Sequence, residues 1–416
     1  MIPFGPYDLD PARARVDWSP GREVDVLMVS RPAGPPVVPP GASVSALHAD
    51  LPGWWVVRSE EAEALGGALL RDRQVRTAYL AFAPPPPPVD RAPETPDFTP
   101  LQAWVDGPGS VRLGAASAWP GGDAGEVRLA DVEYGWDAGH EDLERIPVEP
   151  AWGQRTDTYL FHGNSVFGML AATPNAYGVS GVTVGAELLG VSPFTDDGVY
   201  SVAAAVAAAA ALLAPGDVLL IEQQAYANAT YCPVSVDPAT WDAIRAAVDA
   251  GIVVVEPGGN GGADLDGPEW SGWFDRAHDS GSILVGGGAS PSGGYEPLAW
   301  YPNGSSYGAR VDVQGWFDGI VTTSGGDYPA FSELFLPDGD LLQGYTASFG
   351  GTSGASPMVA AAAALLQSIA IRTGAGPYAP EELRALLRST GTPQRGGARI
   401  GPQPDLRRLL RTVALP

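Results

Sequence analysis

Phe349-Gly350-Gly351-Thr352-Ser353-Gly354-Ala355-Ser356-Pro357-Met358-Val359, running on into the alanine-rich 360–366, is the stretch that decides the fold. Small residues crowd around one hydroxyl, and a strongly helix-forming run begins directly after it. A serine at the head of such a helix sits among backbone N–H groups without intrahelical partners, at the positive end of the helix dipole. Negative charge developing beside it is therefore favoured. Gly350 and Gly351 leave room for another backbone to come close. Taken alone, the stretch also fits a capped alanine helix, so its meaning depends on what surrounds it.

Outward from this helix, short apolar runs alternate with helical segments. Strands are expected at 127–131, 188–191, 218–222, 252–256 and 282–285, and helices at 163–172, 199–213, 238–250, 352–371 and 381–388. That alternation predicts an α/β fold, a mostly parallel sheet with helices on both faces, from residue 97 to 416. Functional groups in such folds collect beyond the carboxyl ends of the strands. Asp131, Asn260 and the run Glu222-Gln223-Gln224 all lie at such ends.

The first 83 residues read as a separate small α/β unit, β-α-β-like, with strands at 24–30 and 75–82 and helical character over 59–71. Residues 84–96 form a proline-rich linker, beginning with the five consecutive prolines from Pro84 to Pro88, which favour a stiff extended spacer.

Composition narrows the function classes. The formal charge is −24, and every basic residue is an arginine, since the chain contains no lysine. So acidic a surface repels nucleic acid and anionic lipid, so neither is expected as a partner. Cys232 is the only cysteine, which excludes an intramolecular disulfide and reads as a small buried residue. The N-terminal residues show neither a basic region nor an apolar core, so no signal peptide is visible and a cytoplasmic location is favoured, or a secreted one if a leader is missing. The longest uninterrupted apolar run, 202–214, is too short to cross a bilayer and reads as a buried helix.

Serine becomes a useful nucleophile only when a base removes its proton, and histidine titrates in the right range. Four histidines are available: His48, His140, His162 and His278. His162 opens His162-Gly163-Asn164-Ser165-Val166-Phe167-Gly168, in which Gly163 and Gly168 fit a closely packed helix. Asp131 ends the alternating run 127–130, and Asn260 follows the apolar run and turn Val253-Val254-Val255-Glu256-Pro257-Gly258-Gly259. His140, within Asp137-Ala138-Gly139-His140-Glu141-Asp142, has no second histidine nearby and makes a poor metal site. Asp279-Ser280-Gly281 reads as a turn.

With the serine stretch, these segments resemble the motifs of the subtilisin-like serine peptidases, in the family's order of aspartate, histidine, asparagine and serine. The resemblance covers residues 97 to 416. It implies a serine endopeptidase in which Ser353 attacks the carbonyl, His162 moves the proton, Asp131 orients His162, and Asn260 stabilises the oxyanion together with the Ser353 N–H. It implies no cofactor for catalysis and a peptide or protein as the substrate. Relatives often carry structural calcium, which Asp264 and Asp266 could join, although no ligand set is assigned. Relatives also carry a small propeptide where residues 1–83 stand, so the N-terminal unit is either an internal partner of the cleft or a permanent accessory domain.

Three features depart from the family pattern. Asn164 replaces a threonine, Glu222-Gln223-Gln224 stands where Ser-Leu-Gly is usual, and Glu256-Pro257 precedes Gly258-Gly259. If Glu222 or Glu256 faced the substrate cleft, a basic side chain before the scissile bond would be preferred; the alternative is a buried polar network. An α/β-hydrolase reading fails because no histidine follows Ser353 and Ala355 breaks the Gly-x-Ser-x-Gly elbow, and a sedolisin-like reading leaves His162 without a task. Two alternatives on the same fold stay open: a peptide-maturing acyl transferase or cyclase, and a non-cleaving peptide-binding scaffold.

Overall fold

The computed structural model describes residues 22–82, 95–302, 304–326 and 332–413. The chain divides into two compact units, Met1–Arg91 and Ala92–Pro416. The proline run and most of the proposed 84–96 linker lie outside the described residues.

In the first unit, β1 (Arg22–Ser30), β2 (Ser43–Ala46), β3 (Trp54–Arg58) and β4 (Thr77–Phe82) form an antiparallel sheet in the order β2-β3-β1-β4, with α1 (Ala62–Leu69) beside it. Leu27, Val29, Val57, Leu65, Leu69 and Leu80 make its core. β1, α1 and β4 stand where two strands and a helix are expected, but they do not form a β-α-β unit. The helix connects β3 to β4, and β1 runs antiparallel between the two. β2 and β3 were missed; β2 is too polar and exposed to announce itself by periodicity.

The second unit begins with the short α2 (Ala103–Asp106) and is built on a six-stranded, all-parallel sheet. Its strands are β5 (Arg128–Val132), β6 (Glu187–Val191), β7 (Val218–Ile221), β10 (Val253–Pro257), β11 (Ile283–Gly288) and β12 (Val313–Trp316), ordered β12-β11-β10-β7-β5-β6. Two antiparallel ribbons flank it: β8 (Gln224–Ala227) with β9 (Thr230–Pro233), and β13 (Ile320–Thr323) with β14 (Tyr345–Phe349). The helices are α3 (Leu160–Ala171), α4 (Val202–Leu212), α5 (Pro238–Asp249), α6 (Thr352–Arg372), α7 (Pro380–Thr390) and α8 (Leu406–Thr412).

The two faces of the sheet are covered by different helices, and the strands sort their side chains accordingly. Leu129, Leu220, Val255, Val285 and Val313 pack with α3 and α6. Their neighbours Ala130, Val132, Leu219, Ile221 and Val254 pack with α4 and α5. Period-2 alternation therefore sends Asp131 and Glu133 to the α3/α6 side, along with Glu222. α6 is long and apolar enough to span a bilayer, yet 94% of that apolar window is buried inside this core. Its small residues allow the close approach: a Cβ on Gly315 would lie 2.6 Å from the carbonyl oxygen of Ala355.

Candidate active site

His162 sits in the first turn of α3, and two close approaches hold that turn in place. A Cβ on Gly163 would lie 2.1 Å from the carbonyl oxygen of Gly135, and one on Gly168 would lie 2.1 Å from Thr323 Oγ1. Asn164, the departure from the family motif, ties the helix to its surroundings. Its Oδ1 accepts from Asp137 N–H at 2.7 Å, and its Nδ2 donates to Ser324 O at 3.2 Å.

The carboxylate beside the imidazole is Glu133, not Asp131. Glu133 Oε2 lies 2.6 Å from His162 Nδ1, while Glu133 Oε1 accepts from Tyr134 N–H at 2.7 Å. Glu133 is the first residue beyond β5, fully buried. Asp131 lies inside the strand, opposite Leu220 on β7, and neither of its carboxyl oxygens has a hydrogen-bond partner. Burial, followed by repulsion from Glu133, pushes the Asp131 carboxyl well above the usual carboxylate range. An unpaired buried carboxylate is so costly that the group keeps its proton. The orienting role expected for Asp131 is thereby corrected. Sequence alone carried no signal that separates the two acids, because the strand was expected to end at 131 and its pairing runs on to Val132, leaving Glu133 as the group that stands beyond it.

Burial alone would lower the His162 pKa, but the charge and hydrogen bond of Glu133 raise it to about 9. The ring also packs against Phe349, centroids 5.7 Å apart and nearly perpendicular. Phe349 ends β14, and four residues later comes Ser353, the second residue of α6. No hydrogen bond joins Ser353 Oγ to His162 among the described residues. Such bonds are commonly long without substrate and tighten when it binds.

Gly351 precedes α6 with φ 77° and ψ −176°, a conformation available only to glycine. A Cβ there would also lie 3.1 Å from Asn260 Nδ2. Asn260 is fixed through its oxygen: Oδ1 accepts from Thr352 N–H at 2.8 Å and from Thr352 Oγ1 at 3.0 Å. Its backbone N–H donates to Gln224 Oε1 at 2.9 Å. These bonds leave Asn260 Nδ2 with no protein acceptor among the described residues, at the head of the serine helix.

The expected substrate-wall residues are mostly committed to the scaffold. Glu222 and Glu256 are only 3% and 0% exposed. Glu256 accepts from Ser235 N–H and Ser282 Oγ and faces Arg310, a buried polar network of the kind weighed against a substrate-facing role. Gln223 accepts from the Tyr200 hydroxyl, and the Gly259 carbonyl accepts from Ser306. Gly258 N–H donates to Val285 O. His140 spends both ring nitrogens on backbone, with Nε2 2.8 Å from Gly344 O and Nδ1 accepting from Asp142 N–H. Asp266 pairs with Arg399 and accepts from Ala309 N–H. Among the described residues no group of three or more His, Cys, Asp or Glu side chains is arranged to hold a metal ion.

Comparison with known proteins gives this arrangement its context. The sequence profile of the Subtilase family matches residues 134–402, beginning one residue after Glu133 and spanning His162, Asn260 and Ser353. No curated protein matches the chain. Among solved structures, a protease from Pseudoalteromonas arctica PAMC 21717 is similar at 18% identity and a TM-score of 0.54, covering 76% of this chain and 98% of its own. Fervidolysin from Fervidobacterium pennivorans, a keratinolytic enzyme related to subtilisin, is similar at the same identity and TM-score, covering 96% of this chain and 63% of its own. The fold of this chain is subtilisin-like.

Proposed function

The chain belongs to the subtilase family of serine peptidases, and from that premise we propose that it is an endopeptidase using Ser353, His162, Glu133 and Asn260. Ser353 Oγ attacks the scissile carbonyl as His162 Nε2 takes its proton, and the same proton then passes to the leaving amine. Glu133 holds the Nδ1–H tautomer and stabilises the imidazolium. Asn260 Nδ2 and the Ser353 backbone N–H donate to the oxyanion, where such a donor contributes roughly 3–4 kcal/mol. Subtilases need no cofactor for this chemistry. A peptide or protein is the substrate.

The observation that carries this reading is the 2.6 Å contact between Glu133 and His162, on an imidazole packed against the residue that leads into Gly350-Gly351-Thr352-Ser353. It is tested by treating the purified protein with a fluorophosphonate. Labelling of the wild type that disappears in Ser353→Ala supports the reading. A folded wild type that takes no label favours the peptide-binding scaffold instead.

A further inference from the structure

Ser356, three residues beyond Ser353, makes two short contacts with one hydroxyl. Its Oγ lies 2.7 Å from Thr352 O and 2.6 Å from Glu222 Oε1. A hydroxyl carries a single hydrogen, and a backbone carbonyl can only accept. The Ser356 hydrogen therefore belongs to the contact with Thr352 O. An ionised Glu222 would then set two acceptors 2.6 Å apart, and only a proton on Glu222 turns that contact into a hydrogen bond.

The surroundings point the same way. Glu222 stands just past β7, its backbone N–H bonded to Val132 O at 3.1 Å, which aligns it beside Glu133. Its second oxygen, Oε2, is buried with no partner, as are both oxygens of Asp131. The titratable groups facing it are Asp131 and Glu133 from β5 and His162 from α3, while α6 presents the neutral Ser356. Burial pushes the Glu222 carboxyl up and Glu133 adds to this, while His162 acts against it. Three buried carboxyls thus stand near one imidazole, and the interior can hold only the one that pairs with it as an anion.

We propose that Glu222 is a neutral acid that donates its proton to Ser356, fixing the first turns of α6 and so holding Ser353, which stands on the first of them. Glu222 is then a positioning residue for the reaction proposed above, and the inference rests on that reading. The serine of that turn is thereby anchored from the sheet by an acid that keeps its proton, beside the acid that holds the imidazole.

The test compares the rate of fluorophosphonate labelling in wild type, Glu222→Ala, Glu222→Gln and Ser353→Ala. Loss of the donor in E222A slows labelling about tenfold or more, and E222Q, whose amide N–H can still donate to Ser356, restores most of that loss. E222Q as slow as E222A overturns the proposal, because it would mean that the anion is what matters. Infrared spectra of protein carrying ¹³C-glutamate give an independent readout. At about pH 8 the wild type shows a protonated-carboxyl stretch that E222Q lacks. If no glutamate is protonated in the wild type, the proposal is wrong even should the variants fail to fold. Wild type that takes no label, or S353A that does, signals failure of the peptidase reading and not of this one.

Discussion

Two acids stand two residues apart, and they do opposite things. Glu133 is hydrogen-bonded to an imidazole, and Asp131 is buried with both oxygens unpartnered. Replacing Glu133 by Gln should slow peptide hydrolysis by about 10²–10⁴-fold, because the imidazole loses both its tautomer lock and its counter-charge. Asp131→Asn, which exchanges one neutral group for another, should change the rate by less than about threefold. The opposite ranking in measured kcat/KM would return the orienting role to Asp131. The same contact sets a pH dependence. His162 must be neutral to act as a base, and its folded pKa is about 9 against an ordinary 6.5. Activity of the free enzyme therefore rises with pH to a midpoint near 9, and in E133Q the midpoint moves down. Stability runs the other way: the contribution of the protonated imidazole is complete below about 6.5 and is lost as pH rises through about 9. Rate and unfolding free energy measured over one pH series should cross in this manner.

The elements carrying these residues were legible because each has a strong local signal. The helix 352–371 was readable from its small residues and alanines, and the core strands from unbroken valine and leucine runs. What could not be read was which strand residue emerges beyond the sheet. Asp131 and Glu133 share a face by alternation, and only the pairing of β5 with β6 and β7 shows which of them lies past the last paired residue. Likewise, β12, β13 and β14 were missed; their fully or mostly buried four- and five-residue strands carry too few positions for a period to show. At this scale Gly351 is the joint between β14 and α6. Gly351→Ala should cost about 1–3 kcal/mol from backbone strain, lowering the unfolding midpoint of the second unit. It should also slow labelling of Ser353, because the new Cβ crowds the Asn260 amide. An unchanged midpoint would show that the turn can relax without glycine.

For the whole molecule, the chain divides into two compact units after residue 91, close in sequence to a run of five prolines. We propose that the first unit is released by the second. The intact mass of the wild type should fall through a cut between residues 84 and 109, and Ser353→Ala should keep its full mass; equal full-length masses would mark residues 1–83 as a permanent domain. Proline composition points to a linker at 84–96, a signal independent of the fold on either side. How the first sheet pairs was not legible, because β2 is short and largely exposed and β3 is only five residues long, most of them half-buried. Within the second unit, eighteen of the twenty-one residues of α6 are buried, and the nucleophile rides at one end of that helix. The amides along the helix interior should thus be among the last in the protein to exchange with deuterated solvent. A peptidase built this way keeps its attacking group on the part of the molecule that opens last, so heating should fray its edges well before it disarms the enzyme.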